Sequence, residues 1–377
     1  MSNFIGNEGI KMNKRICILA TVFSVAMQYE NVMAYEPSVK IYEAYYGTDI
    51  QNIFNKLDID AKNTLLISDE DNTTVYRYGH EFGNGHMKQW AELARQELIQ
   101  TKQDSRNIGK WKQTYYRDHI KLPIDSVYCK FLKQLQDKGY KLILLTAKLN
   151  EDFGKDEKGE KVSAHDIYNQ EHIKFGIAPG KGWENLPSTK LNTKRKVNLP
   201  DYIDGVIYAG HTSHTVNNYK QNNKVIALHK FIAYAKEYNQ LNNLKTIIAI
   251  DDRESEIEAL REYAREKEYQ FIGIVFKGYK TFPVQKNFDE EYEKKRLETL
   301  RDENKWLLPK EADKLFYKDE NGIWHLKEDA THRMDSTMPS LDDVVIKELF
   351  NKPQGKIELN SDKSLHTLKQ SPCEVTP

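Results

Sequence analysis

The chain has 377 residues, of which 39% are hydrophobic and 30% are charged. A prior of roughly 150 residues per domain allows about two domains, and 22 Tyr and 14 Phe supply bulk for a core. Only one stretch approaches sustained apolarity, which excludes a protein with several membrane spans, and 56 basic against 56 acidic residues give no global charge that would favour nucleic acid or an anionic membrane.

The first 34 residues have the three-part layout of a secretory signal. A short basic start at Met12–Arg15 precedes a mostly apolar run from Ile16 to Met27, and the segment ends in Val32-Met33-Ala34. The apolar run is shorter than the ~20 residues that a membrane span needs. The pattern therefore predicts a signal peptide over residues 1–34 and an exported protein, periplasmic or secreted. The other interpretation is a buried N-terminal helix or strand.

Five short apolar runs predict the strands of a buried sheet. They are Thr64–Ser68, Tyr140–Leu145, Ile203–Ala209, Thr246–Ile250 and Gln270–Phe276. Helical patterns lie between them, at 86–103, 127–138, 163–175, 224–239 and 254–267. Strands that alternate with helices are typical of a parallel sheet covered on both faces. The sequence therefore predicts an α/β fold with a Rossmann-like parallel sheet flanked by helices.

Two long excursions interrupt this alternation. Residues 74–126 are rich in Tyr, Trp, His and Lys, and we expect a mostly helical cap inserted after the first core strand. Residues 150–200 form a second, loop-rich excursion. The core is then expected at 35–73 and 127–285, followed by a C-terminal extension at 286–377. That extension contains a possible charged helix at 286–304 and a partly disordered tail.

Acidic side chains follow two of the predicted strands. Asp69 and Asp71 come directly after the first strand, and Asp251 and Asp252 come after the fourth. In open parallel sheets, ligands bind beyond the carboxyl ends of the strands, so we expect these groups to converge. Carboxylates that lie so close repel one another and need a cation, and hard oxygen donors with little room suit Mg²⁺.

This layout resembles the haloacid dehalogenase-like hydrolase superfamily, over roughly residues 49–280. Its first motif, Asp-x-Asp-x-Thr after an apolar strand, is matched by Asp69–Thr73. Its second, a Thr at the end of a strand, is matched by Thr146, and its third, a Lys near a helix start, by Lys224. Its fourth, a strand that ends in paired acids, is matched by Asp251-Asp252. Within this superfamily, the closest resemblance is to secreted members from intracellular bacteria.

The resemblance implies a phosphatase that uses an aspartyl-phosphate intermediate. Asp69 would be the nucleophile, and Asp71 would be the general acid and base. Thr146 would donate a hydrogen bond to a phosphoryl oxygen, and Lys224 would orient Asp69 and offset the phosphate charge. Asp69, the main-chain carbonyl of Asp71, and Asp251 or Asp252 or both would hold Mg²⁺. Asp71 favours a phosphatase, because dehalogenases of this superfamily lack it and its ATPases usually carry Thr there.

Each motif also has a simpler interpretation. Lys220 or Lys230 could compete with Lys224 in this Lys-rich chain. Asp251 and Asp252 could cap the following helix rather than bind metal. Arg253 directly follows that pair, so the sequence leaves open which carboxylate contacts the metal.

Three further segments are weaker candidates. His211 and His214 lie three residues apart but lack the further ligands that zinc needs. The Gly79–His86 stretch could form a flap near the leaving group, although it lacks dinucleotide-binding spacing. Lys190–Lys196 is a local basic run, expected as a solvated loop or as a contact for an anionic substrate.

Two functions of different classes remain. The first is an exported Mg²⁺-dependent phosphomonoester phosphatase that acts on a small phosphorylated substrate. The alternative is a non-catalytic binding protein or secreted effector that keeps the fold. Neutral charge, with no basic stripe studded with aromatic residues, weighs against nucleic acid as a partner. No stable membrane insertion is expected once the signal is removed.

The signal prediction has a direct test. Because signal peptidase would cleave after Ala34, the exported protein should begin at Tyr35. N-terminal sequencing of material recovered outside the cytoplasm measures this. Exported protein that begins at Met1 or Met12 would contradict it.

Overall fold

The computed structural model describes residues 38–78, 92–94, 96–97, 105–118, 120–156, 158–191, 199–210, 219–281, 289–307, 316–320 and 324–326. All of these except Ser38 belong to the unit Val39–Pro377. The expected signal at residues 1–34 and the tail beyond residue 326 lie outside the described residues.

Strands and helices alternate along the described chain. The strands are β1 (Val39–Ala44), β2 (Thr64–Ser68), β3 (Val75–Tyr78), β4 (Ile120–Pro123), β5 (Lys141–Thr146), β6 (Asp152–Lys155), β7 (Lys161–Ser163), β8 (Thr189–Lys190), β9 (Asp201–Ile203), β10 (Val206–Tyr208), β11 (Thr246–Asp251), β12 (Gln270–Phe276), β13 (Phe316–Lys318) and β14 (Trp324–Leu326). The helices are α1 (Gly47–Asn55), α2 (Ser105–Asp118), α3 (Ser126–Asp137), α4 (Ala164–Lys174), α5 (Asn223–Glu237), α6 (Glu254–Glu266) and α7 (Glu290–Glu303). In this part of the chain, every helix is too short or too polar to cross a bilayer.

An eight-stranded sheet organises the molecule, in the order β1-β12-β11-β2-β5-β10-β9-β8. Neighbouring strands from β1 to β10 are parallel, whereas the pairs β10–β9 and β9–β8 are antiparallel. The mostly parallel sheet flanked by helices confirms the predicted α/β class. β2 lies inside the sheet with all five of its residues buried. The residues that follow β2 therefore lie at the carboxyl ends of the parallel strands, near the middle of that edge of the sheet.

Helices cover both faces of the sheet, which explains the continuous apolar runs of its strands. On one face, Leu65 and Ile67 of β2 join a core with Phe231 of α5 and Leu260 of α6. On the other face, Leu66 packs in a second core that contains residues of α1 and α3, such as Ile50 and Leu132. Alternate residues of one strand thus enter opposite cores, and no polar face interrupts the pattern.

The predicted strand Ile203–Ala209 is wrong as one continuous strand. Asp204 and Gly205 have φ values of 43° and 80°, and they form the turn between the antiparallel strands β9 and β10. An Asp-Gly pair supplies the left-handed conformations that a two-residue hairpin requires. Gly205 also lies against the Pro179 carbonyl, where a Cβ would overlap it.

The excursion at 74–126 begins and ends as a strand pair. β3 and β4 pair antiparallel and bring the two ends of the excursion together, with α2 and the helical residues 92–94 and 96–97 between them. The sequence predicted a mostly helical excursion with a helix at 86–103, of which the structure describes 92–94 and 96–97 as helical; it predicted neither the bounds of α2 nor this strand pair. The second excursion contains the β6–β7 hairpin and α4.

The C-terminal extension packs on the first excursion through α7. The Thr114 hydroxyl of α2 donates to the Asn304 side chain at 3.1 Å, and the Tyr115 and Trp306 rings meet edge to face at 4.9 Å. The buried Arg296 guanidinium lies 4.1 Å from the centre of the Trp306 ring and pairs with Glu293. These contacts support α2 from its side facing α7.

Candidate active site

The first acidic motif begins where β2 ends. The backbone N–H of Asp69 donates to the Ile250 carbonyl of β11 at 2.9 Å, which keeps Asp69 in register with the sheet beyond the end of the strand. The chain then turns sharply, because the Glu70 carbonyl accepts the N–H groups of Thr74 and Val75, both at 2.9 Å. This turn buries the Asp69 side chain and leaves that of Asp71 one-third exposed.

Lys224 lies at the start of α5 and bonds two of the acids. Its Nζ is 2.7 Å from Asp69 Oδ1 and 2.6 Å from Asp251 Oδ2, although the residue is fully buried. The competing lysines lie elsewhere: Lys220 pairs with Glu266 at 3.0 Å, and Lys230 is exposed. Of the three candidates, the structure brings Lys224 to the acidic motifs.

The start of α5 is held in place from α6. Asn222 caps α5 by accepting the Val225 N–H at 3.1 Å, and its amide donates to Glu256 Oε2 at 2.7 Å. The other Glu256 oxygen pairs with Arg253 at 3.1 Å. Glu256 therefore supports the helix start that carries Lys224.

Three carboxylates form a group that could hold a metal ion. Ligand oxygens of Asp69, Asp251 and Asp252 all lie within 4.8 Å of one another. Asp251 is oriented by the Arg253 N–H, which donates to its second oxygen at 2.9 Å. Asp252 accepts a long hydrogen bond from the Asn72 amide at 3.4 Å.

The electrostatics of this group favour a bound cation. Burial raises the pKa of Asp69 well above its usual range, and Lys224 opposes that shift only in part. Burial and the charge of Asp251 raise the pKa of Asp252 to about 7. Burial disfavours the Lys224 ammonium, yet Asp251 and Asp69 hold its pKa above the ordinary value. Three crowded carboxylates thus share the Lys224 ammonium and the Arg253 guanidinium, which lies 4.0 Å from Asp251 and Asp252, and such hard oxygen donors fit Mg²⁺.

Thr146 ends β5 beside this group. Its Oγ1 accepts the backbone N–H of Lys148 at 3.3 Å, and its carbonyl accepts the Ala209 N–H at 2.8 Å. The first bond uses a lone pair of the hydroxyl oxygen and leaves the hydroxyl hydrogen to donate. Thr146 is thus able to donate to an oxyanion.

Asp69, Asp71, Thr146 and Asp252 border one cleft with a volume of about 300 Å³. Lys224 and Asp251 are buried at the carboxylate group and do not line it. The lining residues come from both acidic motifs, from the segment after β5 and from both excursions: Asp69, Asp71, Asn72, Tyr116, Thr146, Ala147, Lys148, Leu149, Glu151, Phe153, Ala164, Tyr168, Asp252 and Arg253.

Lys148 is a site residue that the sequence analysis missed. Its Nζ lies 2.6 Å from Glu70 Oε1 and 2.9 Å from Asp71 Oδ1, and 4.1 Å from the centre of the Tyr168 ring. The feature of the sequence that could have indicated Lys148 as a site residue is its position two residues after Thr146. A single Lys in a Lys-rich chain is too common to stand out.

Lys148 compensates the buried charge of Glu70. The Glu70 side chain is fully buried, and His172 lies 3.8 Å from its Oε1. Burial lowers the pKa of His172 to about 4, so His172 is neutral at pH 7 and adds no positive charge. The stability of the turn after β2 therefore depends on Lys148.

Several sequence candidates lie outside the described residues. They are His211, His214, the Gly79–His86 stretch and residues 192–196 of the basic run.

Comparison with family models, with curated proteins and with solved structures found no match for this chain.

The Lys148–Glu70 pair predicts a specific pattern of stability. Lys148→Met should lower the free energy of unfolding by about 3 kcal/mol, because Glu70 is left buried without a partner. The double variant Lys148→Met/Glu70→Gln should recover most of this loss. Urea denaturation of the metal-free protein measures both.

Lys181→Met is the matched control for this experiment. Lys181 pairs with Asp137 at the surface, with both side chains about half exposed, so its loss should cost less than about 1 kcal/mol. Equal losses for Lys148→Met and Lys181→Met, or no recovery in the double variant, would contradict the assignment.

Proposed function

We propose that the chain is an exported, Mg²⁺-dependent phosphomonoester phosphatase of the haloacid dehalogenase-like type. The observation that carries the proposal is the contact of one buried ammonium, Lys224, with both Asp69 and Asp251. These acids belong to two motifs that are 182 residues apart in the sequence. The same motifs meet at a cleft that Asp71 and Thr146 line.

The topology supports this proposal. Asp69 directly follows β2, and Thr146 and Asp251 end β5 and β11; these strands are neighbours in the sheet, in the order β11-β2-β5. β2 pairs with β5 on one side and with β11 on the other. The chain continues from β2 to the β5 side first and later returns to the β11 side, so the strand order reverses at β2. Ligands of open α/β sheets bind outside the carboxyl ends of the strands at such a reversal.

In the proposed reaction, Asp69 attacks phosphorus and the bond from phosphorus to the leaving oxygen breaks. Asp71 gives its proton to that oxygen, and the phosphoryl group stays on Asp69 as an acyl phosphate. Water then attacks the acyl phosphate while Asp71 takes its proton, which releases inorganic phosphate and restores Asp69. Thr146 donates to a phosphoryl oxygen, and Lys224 orients Asp69.

The carboxylates of Asp69, Asp251 and Asp252, with the main-chain carbonyl of Asp71, are the donors proposed for the metal. Bound Mg²⁺ supplies positive charge that lets a carboxylate approach an anionic phosphate. Glu256 is not among these donors, because it lies outside the group of carboxylates whose oxygens are close enough to share one ion; its two oxygens bond Asn222 and Arg253 instead.

One observation favours the alternative, a non-catalytic binding protein or secreted effector. The Asp71 carboxylate is paired with Lys148 at 2.9 Å, and a carboxylate held this way when substrate binds would carry no proton to the leaving group. Turnover therefore requires Asp71 to exchange this partner for the substrate. Activity measurements on Asp71 variants separate the two functions.

Variants of the two motif aspartates should differ in their effects. Asp69→Asn removes the nucleophile, so Mg²⁺-dependent hydrolysis should fall to background. Asp71→Asn keeps the nucleophile but loses the proton carrier, so alkyl phosphates should be hydrolysed about 10²–10⁴-fold more slowly. Nitrophenyl phosphate should be the least impaired substrate, because nitrophenolate leaves without a proton. Full activity of Asp69→Asn would refute the mechanism, and an inactive wild type would favour the binding protein.

Metal binding has a test that does not involve activity. Mg²⁺ at 100 times its Kd should stabilise the protein by about 2.7 kcal/mol and raise Tm, because it binds the folded state. Asp252→Asn should weaken this response. Asp137→Asn, which changes a surface carboxylate paired with Lys181, should keep it. An identical Tm response in both variants would argue against the proposed ligands.

A further inference from the structure

Much of the cleft lies beyond the groups that the proposed reaction uses. Asp69, Asp71, Thr146 and Asp252 account for the phosphate and the metal, whereas most of the other lining residues are apolar. We call this set the apolar wall; its members are Tyr116, Ala147, Leu149, Phe153, Ala164 and Tyr168. In a phosphomonoesterase, this is the surface left for the leaving group.

The apolar wall is built around three aromatic rings from separate elements. Tyr116 of α2 stacks on Phe153 of β6, with ring centres 5.4 Å apart and planes 14° apart. Tyr168 of α4 meets Tyr116 edge on at 5.9 Å. Phe153 and Tyr168 are almost fully buried, whereas Tyr116 is partly exposed. Tyr116 is therefore the ring of the three that offers the most surface to a ligand.

Contacts of its neighbours on α2 position Tyr116 in the wall. The Gln113 amide of α2 donates to the Phe153 carbonyl of β6 at 2.5 Å, and the adjacent Tyr115 packs against Trp306 beyond α7. A preorganised ring loses little conformational entropy when a ligand packs against it. The wall is thus suited to recognise a flat group.

The cations that line the cleft are already paired. Among the described lining residues these are Lys148, which contacts Glu70 and Asp71, and Arg253, which contacts Glu256 at 3.1 Å. Glu151 adds a further carboxylate to the lining. A second phosphate on the substrate would have to compete with Glu70 for Lys148 and with Glu256 for Arg253, so the leaving group is best matched by a neutral one.

We propose that the substrate is a monophosphate ester whose leaving group carries a flat aromatic ring that packs against Tyr116 in the apolar wall. This inference rests on the proposed phosphatase function. Two sources share this chemistry, a nucleoside 5′-monophosphate and a simple aryl phosphate. Contact of such a ring with an aromatic side chain favours binding by about tenfold or more over a leaving group without the ring.

A matched pair of esters tests the ring directly. Adenosine 5′-monophosphate and ribose 5-phosphate release the same kind of primary alkoxide and differ in the base. For the purified full chain with Mg²⁺, kcat/KM should be about tenfold or more higher for the nucleotide, mainly through KM. Tyr116→Phe should keep this ratio, and Tyr116→Leu should lower it about fivefold or more. Arg117→Ala, an exposed neighbour on α2, should leave the ratio unchanged.

Phenyl phosphate distinguishes the two sources. If Tyr116→Leu raises KM for both phenyl phosphate and the nucleotide, the site accepts both kinds of ester. If the variant raises KM for one of the two esters alone, that ester represents the substrate. Two results would overturn the inference while leaving the phosphatase function intact. The first is an equal kcat/KM of the wild type for the nucleotide and for ribose 5-phosphate. The second is an equal loss of kcat/KM for these two esters in Tyr116→Leu.

Binding to a variant without the nucleophile separates this inference from the reaction itself. Calorimetry on Asp69→Asn should show tighter binding of the nucleotide than of ribose 5-phosphate, by a similar factor. Absence of Mg²⁺-dependent turnover in the wild type would refute the proposed phosphatase, whereas equal affinities of the two esters would refute the aromatic leaving group.

Discussion

The site depends on one buried ammonium that two carboxylates share. Lys224 joins Asp69 at the end of β2 to Asp251 at the end of β11, and burial of such charges is costly unless each is paired. The helix start that places Lys224 is fixed by the Asn222 cap and, through Asn222, by Glu256 on α6. Two strands and two helices are thereby committed to a single arrangement of charged groups, and the cleft forms above it.

The cleft combines a sheet edge with walls from distant parts of the chain. The acidic motifs lie on short segments directly after strands, whereas Tyr116 and Phe153 come from the two excursions. The segment directly after α7 contacts α2 through Asn304 and Trp306, and it belongs to the same unit as the sheet. On the proposed function, the sheet edge would carry the reaction, and the excursions with their C-terminal support would select the ester.

The strands that were predictable from the sequence are those buried on both faces. β2, β5, β11 and β12 read as continuous apolar runs for that reason, whereas β1 was missed because it is an edge strand with Lys40 and Glu43 exposed. In the hairpin of β9 and β10, the apolar run concealed the Asp-Gly turn. The placement of the motif residues followed from strand ends, but Lys148 pairs with Glu70 across 78 positions. Contacts over such a separation leave no local pattern in a single sequence.

The two lysines give the site a common electrostatic design. Lys224 is shared by Asp69 and Asp251, and Lys148 is shared by Glu70 and Asp71. Each lysine thus contacts two carboxylates, and carboxylates outnumber ammonium groups around both lysines. Asp252 adds a further acid, and Arg253 lies 4.0 Å from it. A phosphate dianion entering this cleft would meet an excess of like charge. A divalent cation at Asp69, Asp251 and Asp252 would lower that excess, so cation and phosphate would each raise the affinity of the protein for the other.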